Sequence, residues 1–202
     1  MTEPGNGSDL KSRFTRRSFL KGSGAVAAAT ALHGQQADGQ QDDGPQVISG
    51  TTTLTLKVNS KSHQVKVEPR DTLLDVLRYQ LDLTGAKPVS GDGTSGASTV
   101  LIDGKPAMAS TVLAVSCRDK SIETVEAHGV DNPDAVAEAF VKHDAQQCGF
   151  CTPGFVVAVR AFLDKNPNAT ESQIREGLNG NICRCGTYAN IIDAAISVAK
   201  GG

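Results

Sequence analysis

Four of the chain's five cysteines fall in two tight pairs, Cys148-Gly149-Phe150-Cys151 and Cys183-Arg184-Cys185, separated by the 31 residues 152–182. Each pair reads as a turn that precedes a helix. A fold that uses both must therefore bring two distant loops to one point. Thiolates are soft donors, and a C-x2-C turn facing a C-x-C turn surrounds a single metal centre from two sides. Gly149, Gly154, Gly180 and Gly186 beside them let the backbone approach that centre and aim N–H groups at charged sulfur. Three other uses of the same residues stand beside this one. A structural zinc site takes four cysteines, although a C-x-C half is less typical of it than two C-x2-4-C knuckles. Two disulfides, or unrelated buried thiols, complete the alternatives.

The N-terminus bears on that choice. Thr15-Arg16-Arg17-Ser18-Phe19-Leu20-Lys21 precedes a weakly apolar stretch, Gly22 to Leu32, with small residues at Ala29-Thr30-Ala31. The run resembles a twin-arginine export signal, so residues 1–37 are expected to be a signal peptide. That route carries proteins that fold before crossing the membrane, which argues for a cofactor inserted beforehand and against disulfides formed afterwards. Residues 38–50 are rich in Gln, Asp and Gly and read as a flexible linker.

Two kinds of periodicity follow. Thr53 to Val58 and His63 to Val67 alternate around a turn at Asn59-Ser60-Lys61-Ser62, which predicts a β-hairpin. Asp71 is positioned to cap a short helix carrying Leu73, Leu74, Val76, Leu77 and Leu81. After a Gly/Ser/Thr-rich loop from Gly85 to Ser98, strands are expected at Thr99 to Ile102 and Ser121 to Glu126, with a turn at Asp103-Gly104. From Pro133 the pattern is helical: Ala135 to His143, Phe155 to Leu163, Ser172 to Leu178 behind a Thr170 cap, and Ile191 to Ala199. The expected fold class is α+β, a small mixed unit over residues 51–127 and an all-helical bundle over 128–202.

Charge and hydropathy narrow the function. With 20 Lys+Arg against 22 Asp+Glu there is no basic field for nucleic acid. Removal of residues 1–37 takes away five basic and two acidic side chains, leaving 15 against 20 and a net charge of −5. No apolar run approaches the roughly 18 residues of a spanning helix.

Gln147-Cys148-Gly149-Phe150-Cys151-Thr152-Pro153-Gly154, then Asn166-Pro167 and Ile174-Arg175-Glu176, then Gly180-Asn181-Ile182-Cys183-Arg184-Cys185-Gly186-Thr187-Tyr188, resemble the small iron–sulfur subunit of the molybdenum hydroxylases, the xanthine dehydrogenase and aldehyde oxidoreductase family. The likeness runs from about Thr53 to Ala199, and its Cys-Gly-Thr-Tyr ending is similar to the bacterial branch with isoquinoline and periplasmic aldehyde oxidoreductases. It implies a β-grasp, ferredoxin-like domain followed by a helical domain holding a 2Fe-2S cluster close to the molybdopterin cofactor of a large subunit. By this resemblance Cys148, Cys151, Cys183 and Cys185 ligate the cluster, Gln147 hydrogen-bonds the molybdenum cofactor, and Cys185 lies on the electron path.

The ferredoxin-like half departs from the family. A plant-type cluster uses C-x4-C-x2-C and a distant fourth cysteine; the corresponding residues here are Ser90, Ser95, Ser98 and Ser110. Hydroxyls are far weaker acids than thiols and lack sulfur's match to iron, so this second site is expected not to bind a cluster. Val89 stands where the family has glycine and would crowd a cluster-binding backbone. Without the second relay, electrons are expected to pass to another subunit, a flavoprotein or a cytochrome, or to leave by a different face. An alternative is a redox-silent structural or export-escort subunit of the same kind of complex. In either case hydroxylation of an aldehyde or N-heterocycle belongs to the large subunit.

The other candidates are plain. Cys117 lacks a partner at ligand spacing and reads as a semi-buried apolar residue. His33 opens the Gln-, Asp- and Gly-rich stretch that runs to Gly50; His63, His128 and His143 are scattered. Lys87 reads as solvated surface charge, and Arg184, between two candidate ligands, as a charge that offsets the centre.

Overall fold

The computed structural model describes residues 47–129 and 133–201; the expected signal peptide and most of the expected linker lie outside these residues. Strands β1 (Thr52–Val58) and β2 (Lys61–Val67) form the hairpin, paired Thr52 with Val67 through Val58 with Lys61. Its period-2 pattern turns Leu54, Leu56, Val58, Val65 and Val67 to one buried face. Helix α1 (Leu73–Tyr79) lays Leu73, Leu74, Val76 and Leu77 against that face. Strands β3 (Thr99–Ile102), β4 (Lys105–Met108) and β5 (Ser121–Glu123) complete a five-stranded mixed sheet in the order β2-β1-β5-β3-β4, with β1 and β5 parallel and the other pairs antiparallel. Leu56 and Ile122 are fully buried in this layer, and each such side chain contributes about 1.5–3 kcal/mol relative to exposure.

Three local expectations change. The cap of α1 is Thr72, whose hydroxyl accepts from Asp75 N while the Asp75 carboxylate reaches back to Thr72 N, a capping box. Asp71 instead accepts the Glu68 N–H at 2.8 Å. The strand expected over Ser121 to Glu126 stops at Glu123 and runs into a 3-10 turn, Val125–Ala127. β4 was unforeseen: Lys105 and Pro106 are poor strand formers, and Pro106 is tolerated because β4 is an edge.

Beyond residue 132 the described chain is helical: α2 (Ala135–Lys142), α3 (Thr152–Lys165), α4 (Glu171–Gly177) and α5 (Tyr188–Ala199). Pro153 occupies the first turn of α3, where its missing N–H costs nothing. Thr170 caps α4 through a capping box with Gln173. Phe155, Ile174, Ile191, Ala194 and Ala195 form the centre of a second buried cluster. Helix α3 also meets the sheet, where Val157 and Ala161 pack on Leu101 of β3. The architecture is thus α+β, a mixed sheet with five α-helices among the described residues. None of the described helices is long and apolar enough to cross a membrane.

Candidate metal centre

Helix α3 starts at the first cysteine pair and α5 just after the second. Cys151 is the residue before α3, and Cys183 and Cys185 lie in the turn that Thr187 ends as the cap of α5. Gly149 at φ +81° and Gly186 at φ +86° take left-handed conformations that favour glycine, and they fold each turn tightly around its sulfurs. Cys183 is buried, Cys151 half-buried, and Cys148 and Cys185 exposed.

All five cysteines are free thiols. The two loops lie close enough for their sulfurs to influence one another: the Cys148 thiol responds to the Cys185 thiol and to charge on Cys183, and the Cys151 and Cys183 thiols respond to each other. The Phe150 N–H, followed by the Cys185 thiol, lowers the Cys148 pKa. Burial, the Cys183 hydrogen bond and neighbouring sulfur charge push Cys151 up to about 12. At Cys183 burial pushes upward, but the Thr187 hydroxyl and N–H, the Cys151 thiol and the Gly186 N–H together bring the value down to about 7. At Cys185 the Cys148 N–H pulls downward, yet hydrogen bonding and charge at the Cys148 sulfur leave it raised.

Among the described residues no three His, Cys, Asp or Glu side chains stand as a ready-made metal cage. The donor set nonetheless fits a thiolate-held centre in its chemistry: four free thiols, two from each loop, on turns that leave backbone N–H groups near sulfur. Two further residues hold Cys183. Its N–H donates to the Tyr188 hydroxyl at 2.7 Å, and its sulfur lies 3.2 Å from Thr187 Oγ1. Tyr188 in turn meets Phe155 edge-on, with ring centroids 6.1 Å apart. Sequence reasoning assigned Thr187 and Tyr188 no role, although both follow Cys183 within five residues.

The serines are gathered differently. Ser90 and Ser95 hydroxyls are 2.8 Å apart, Ser98 and Ser110 hydroxyls 3.0 Å apart, and Ser95 N donates to Ser90 Oγ at 3.0 Å. Ser98 and Ser110 are buried. Each hydroxyl thus has a hydroxyl partner, and a donor set of four neutral alcohols does not fit an iron–sulfur cluster. Val89 is about half exposed beside them.

Gln147 is exposed next to Cys148, and Arg184 is exposed between Cys183 and Cys185. Lys87 is half-buried as a residue, and its ammonium donates to the Thr84 carbonyl at 2.7 Å in an exposed contact. Cys117 is fully buried in the sheet cluster, and burial raises its pKa. His63 and His128, remote in sequence, line one cleft of about 550 Å³ together with Glu123 and Glu126; no cysteine lines it.

Comparison with known proteins follows the same division. Residues 122–196 match the family described as a 2Fe-2S binding domain, and residues 13–33 match the TAT (twin-arginine translocation) pathway signal sequence. The aldehyde oxidoreductase iron–sulfur-binding subunit PaoA of Escherichia coli is 39% identical over 204 residues, covering 93% of this chain and 89% of its own. The nicotine 6-hydroxylase small subunit of Paenarthrobacter nicotinovorans is 38% identical over 148 residues, 73% of this chain and 90% of its own. Among solved structures, a chain of quinoline 2-oxidoreductase from Pseudomonas putida superposes with a TM-score of 0.72 at 39% identity, covering 75% of this chain and 96% of that one.

Proposed function

The chain belongs to the iron–sulfur subunits of the molybdenum hydroxylase family, and from that premise we propose that it is an exported electron-transfer subunit whose 2Fe-2S cluster is held by Cys148, Cys151, Cys183 and Cys185. The observation that carries this reading is four free thiols on two short loops, one leading into α3 and one into α5, inside the residues that match a 2Fe-2S binding domain. A 2Fe-2S centre supplies one-electron storage and transfer; the chain supplies its ligands, the N–H groups around sulfur and a dry inner wall. Cys183 and Cys151 face that wall, and Cys148 and Cys185 face outward. We assign residues 51–127 to a β-grasp, ferredoxin-like domain and 128–202 to the helical cluster-binding domain.

The chain is a subunit of an oxidoreductase that does not itself bind substrate. Its first partner is the large subunit that carries molybdopterin. Exposed Phe150, Ile182 and Tyr188, neighbours of the cysteines in sequence, suit an apolar docking surface there, and exposed Gln147 is free to hydrogen-bond the molybdenum cofactor. Oxidation of an aldehyde or N-heterocycle takes place in that partner. With Ser90, Ser95, Ser98 and Ser110 bonded to one another, no second relay operates on this chain, and the acceptor is a further flavoprotein or cytochrome subunit reached from the single centre. The twin-arginine signal sends the assembled complex out of the cytoplasm, to the periplasm.

Iron and acid-labile sulfide, with the reduced-state EPR spectrum, test this on the complex purified without reconstitution. Two irons per chain and one paramagnetic species are expected, as a single 2Fe-2S centre requires. Four irons and two species would overturn the reading of the serines. An iron-free complex would leave the escort role instead. Cys148→Ser separates the roles again: turnover is expected to collapse in a complex that still assembles, whereas an escort subunit would leave turnover untouched.

A further inference from the structure

The serine loop touches both cysteine loops, chiefly at one carbonyl. The Gly96 carbonyl accepts the Thr99 N–H at 3.1 Å, the Thr99 hydroxyl at 2.6 Å and the Asn181 side-chain amide at 2.9 Å. Asn181 is buried, two residues before Cys183, and its amide also reaches Thr99 Oγ1 at 3.4 Å. One residue on, the Ile182 N–H donates to the Ser95 carbonyl at 2.9 Å. The same Gly96 carbonyl abuts Gly154, three residues after Cys151, where an added Cβ would collide with it. Gly96 itself has φ +68°, and a Cβ there would strike the Gly180 carbonyl and the Asn181 amide. Three backbones therefore meet with no room for a side chain, and two of them are tied by the buried Asn181 amide together with the Ile182 N–H.

We propose that Asn181 is a positioning residue for the cysteine centre: by clamping the C-x-C turn to the Gly96 carbonyl, against which the start of α3 also rests, it sets the separation between the two ligand pairs. This rests on the four cysteines being the ligands. It gives the serine loop a present task, as the common abutment of both cysteine loops. The abutment is made by main-chain carbonyls, so it is indifferent to whether residues 90 and 95 bear sulfur or oxygen. Removing the amide donors loosens the spacing of Cys183 relative to Cys151 while both sulfurs remain.

The test uses the assembled complex carrying Asn181→Asp, which keeps shape and loses both donors, with Asn181→Ala as a second variant. The readouts are the rate of iron release to a chelator, the EPR line shape and the melting temperature. Iron release about five- to tenfold faster, with an altered EPR spectrum, is expected, in keeping with loss of a buried hydrogen bond. Ser90→Ala and Ser95→Ala, which spare the contacts of the Ser95 and Gly96 carbonyls with the cysteine loops, are expected to release iron at the unsubstituted rate. As a control for mere destabilisation, Leu101→Ala is compared at matched loss of melting temperature. Equal acceleration there would overturn the proposal, as would wild-type release and spectrum in both Asn181 variants. An unsubstituted complex without iron would instead overturn the ligand assignment, and the proposal with it.

Discussion

The serine loop and the cysteine loops pose one geometric problem with two elements of the same chemical group. Each site collects four side chains of nearly the same shape on glycine-rich turns. At the serine loop the hydroxyls find one another, at 2.8 and 3.0 Å, and the loop closes on its own hydrogen bonds. At the cysteine loops no such thiol pair forms; the Cys183 sulfur instead meets the Thr187 hydroxyl at 3.2 Å. Oxygen makes a site whose groups satisfy one another; sulfur offers soft donors suited to a metal centre. The backbone around a site can outlast its chemistry when neighbouring loops lean on it.

The comparison is sharpened most by the two apolar clusters beneath these sites. Phe155→Ala, in the helical cluster, is expected to cost about 3–5 kcal/mol and to lower iron content, because Phe155 backs Tyr188 and Tyr188 holds Cys183. Leu56→Ala, in the sheet cluster, is expected to cost about 2–5 kcal/mol with the EPR spectrum intact. Thermal denaturation with iron analysis on both variants checks this, and equal iron loss would erase the distinction.

A smaller effect is expected within the serine loop. Ser98→Ala leaves the buried Ser110 hydroxyl without its partner and should cost about 1–3 kcal/mol, whereas Ser98→Ala with Ser110→Ala should recover most of that. A double-mutant cycle measured by chemical denaturation gives the coupling; additive losses would mean that the hydroxyl pair is not a unit. Iron content should not move in any of the three.

The smallest effect concerns His128, which lies near α3 and the end of β5. Burial, then the Arg160 guanidinium, lowers its pKa below 6.5 against the pull of Glu123 and Asp164. The folded chain therefore binds fewer protons there than the unfolded chain. Stability is full above about pH 6.5 and is lost as the pH falls through the folded value. His128→Gln is expected to flatten the fall of melting temperature on acidification from pH 7 to 5, and an unchanged slope would assign that fall to other groups.

Much of this was legible in the chain itself, for reasons that also mark the limit. Alternation at Leu54, Leu56 and Val58 and the Thr170–Gln173 pair are local signals, and local physics decides them. Asp71 offers the same capping chemistry one residue earlier than Thr72, and it is Asp75, three residues after Thr72, that completes the capping box there. The four cysteines announce themselves by spacing and softness. Asn181 does not, because its partner lies 85 residues away and its role exists only once three backbones have met.

The cross-loop arrangement of the thiols has a consequence for order of events. Because one pair lies before α3 and the other after α4, a centre bound there clasps the ends of a 31-residue segment and removes freedom from the unfolded chain. Neither loop alone offers more than half the ligands. Capture of the centre and closure of the helical half are then a single transition, and a chain that has lost its iron has also lost the clasp that marks it as finished.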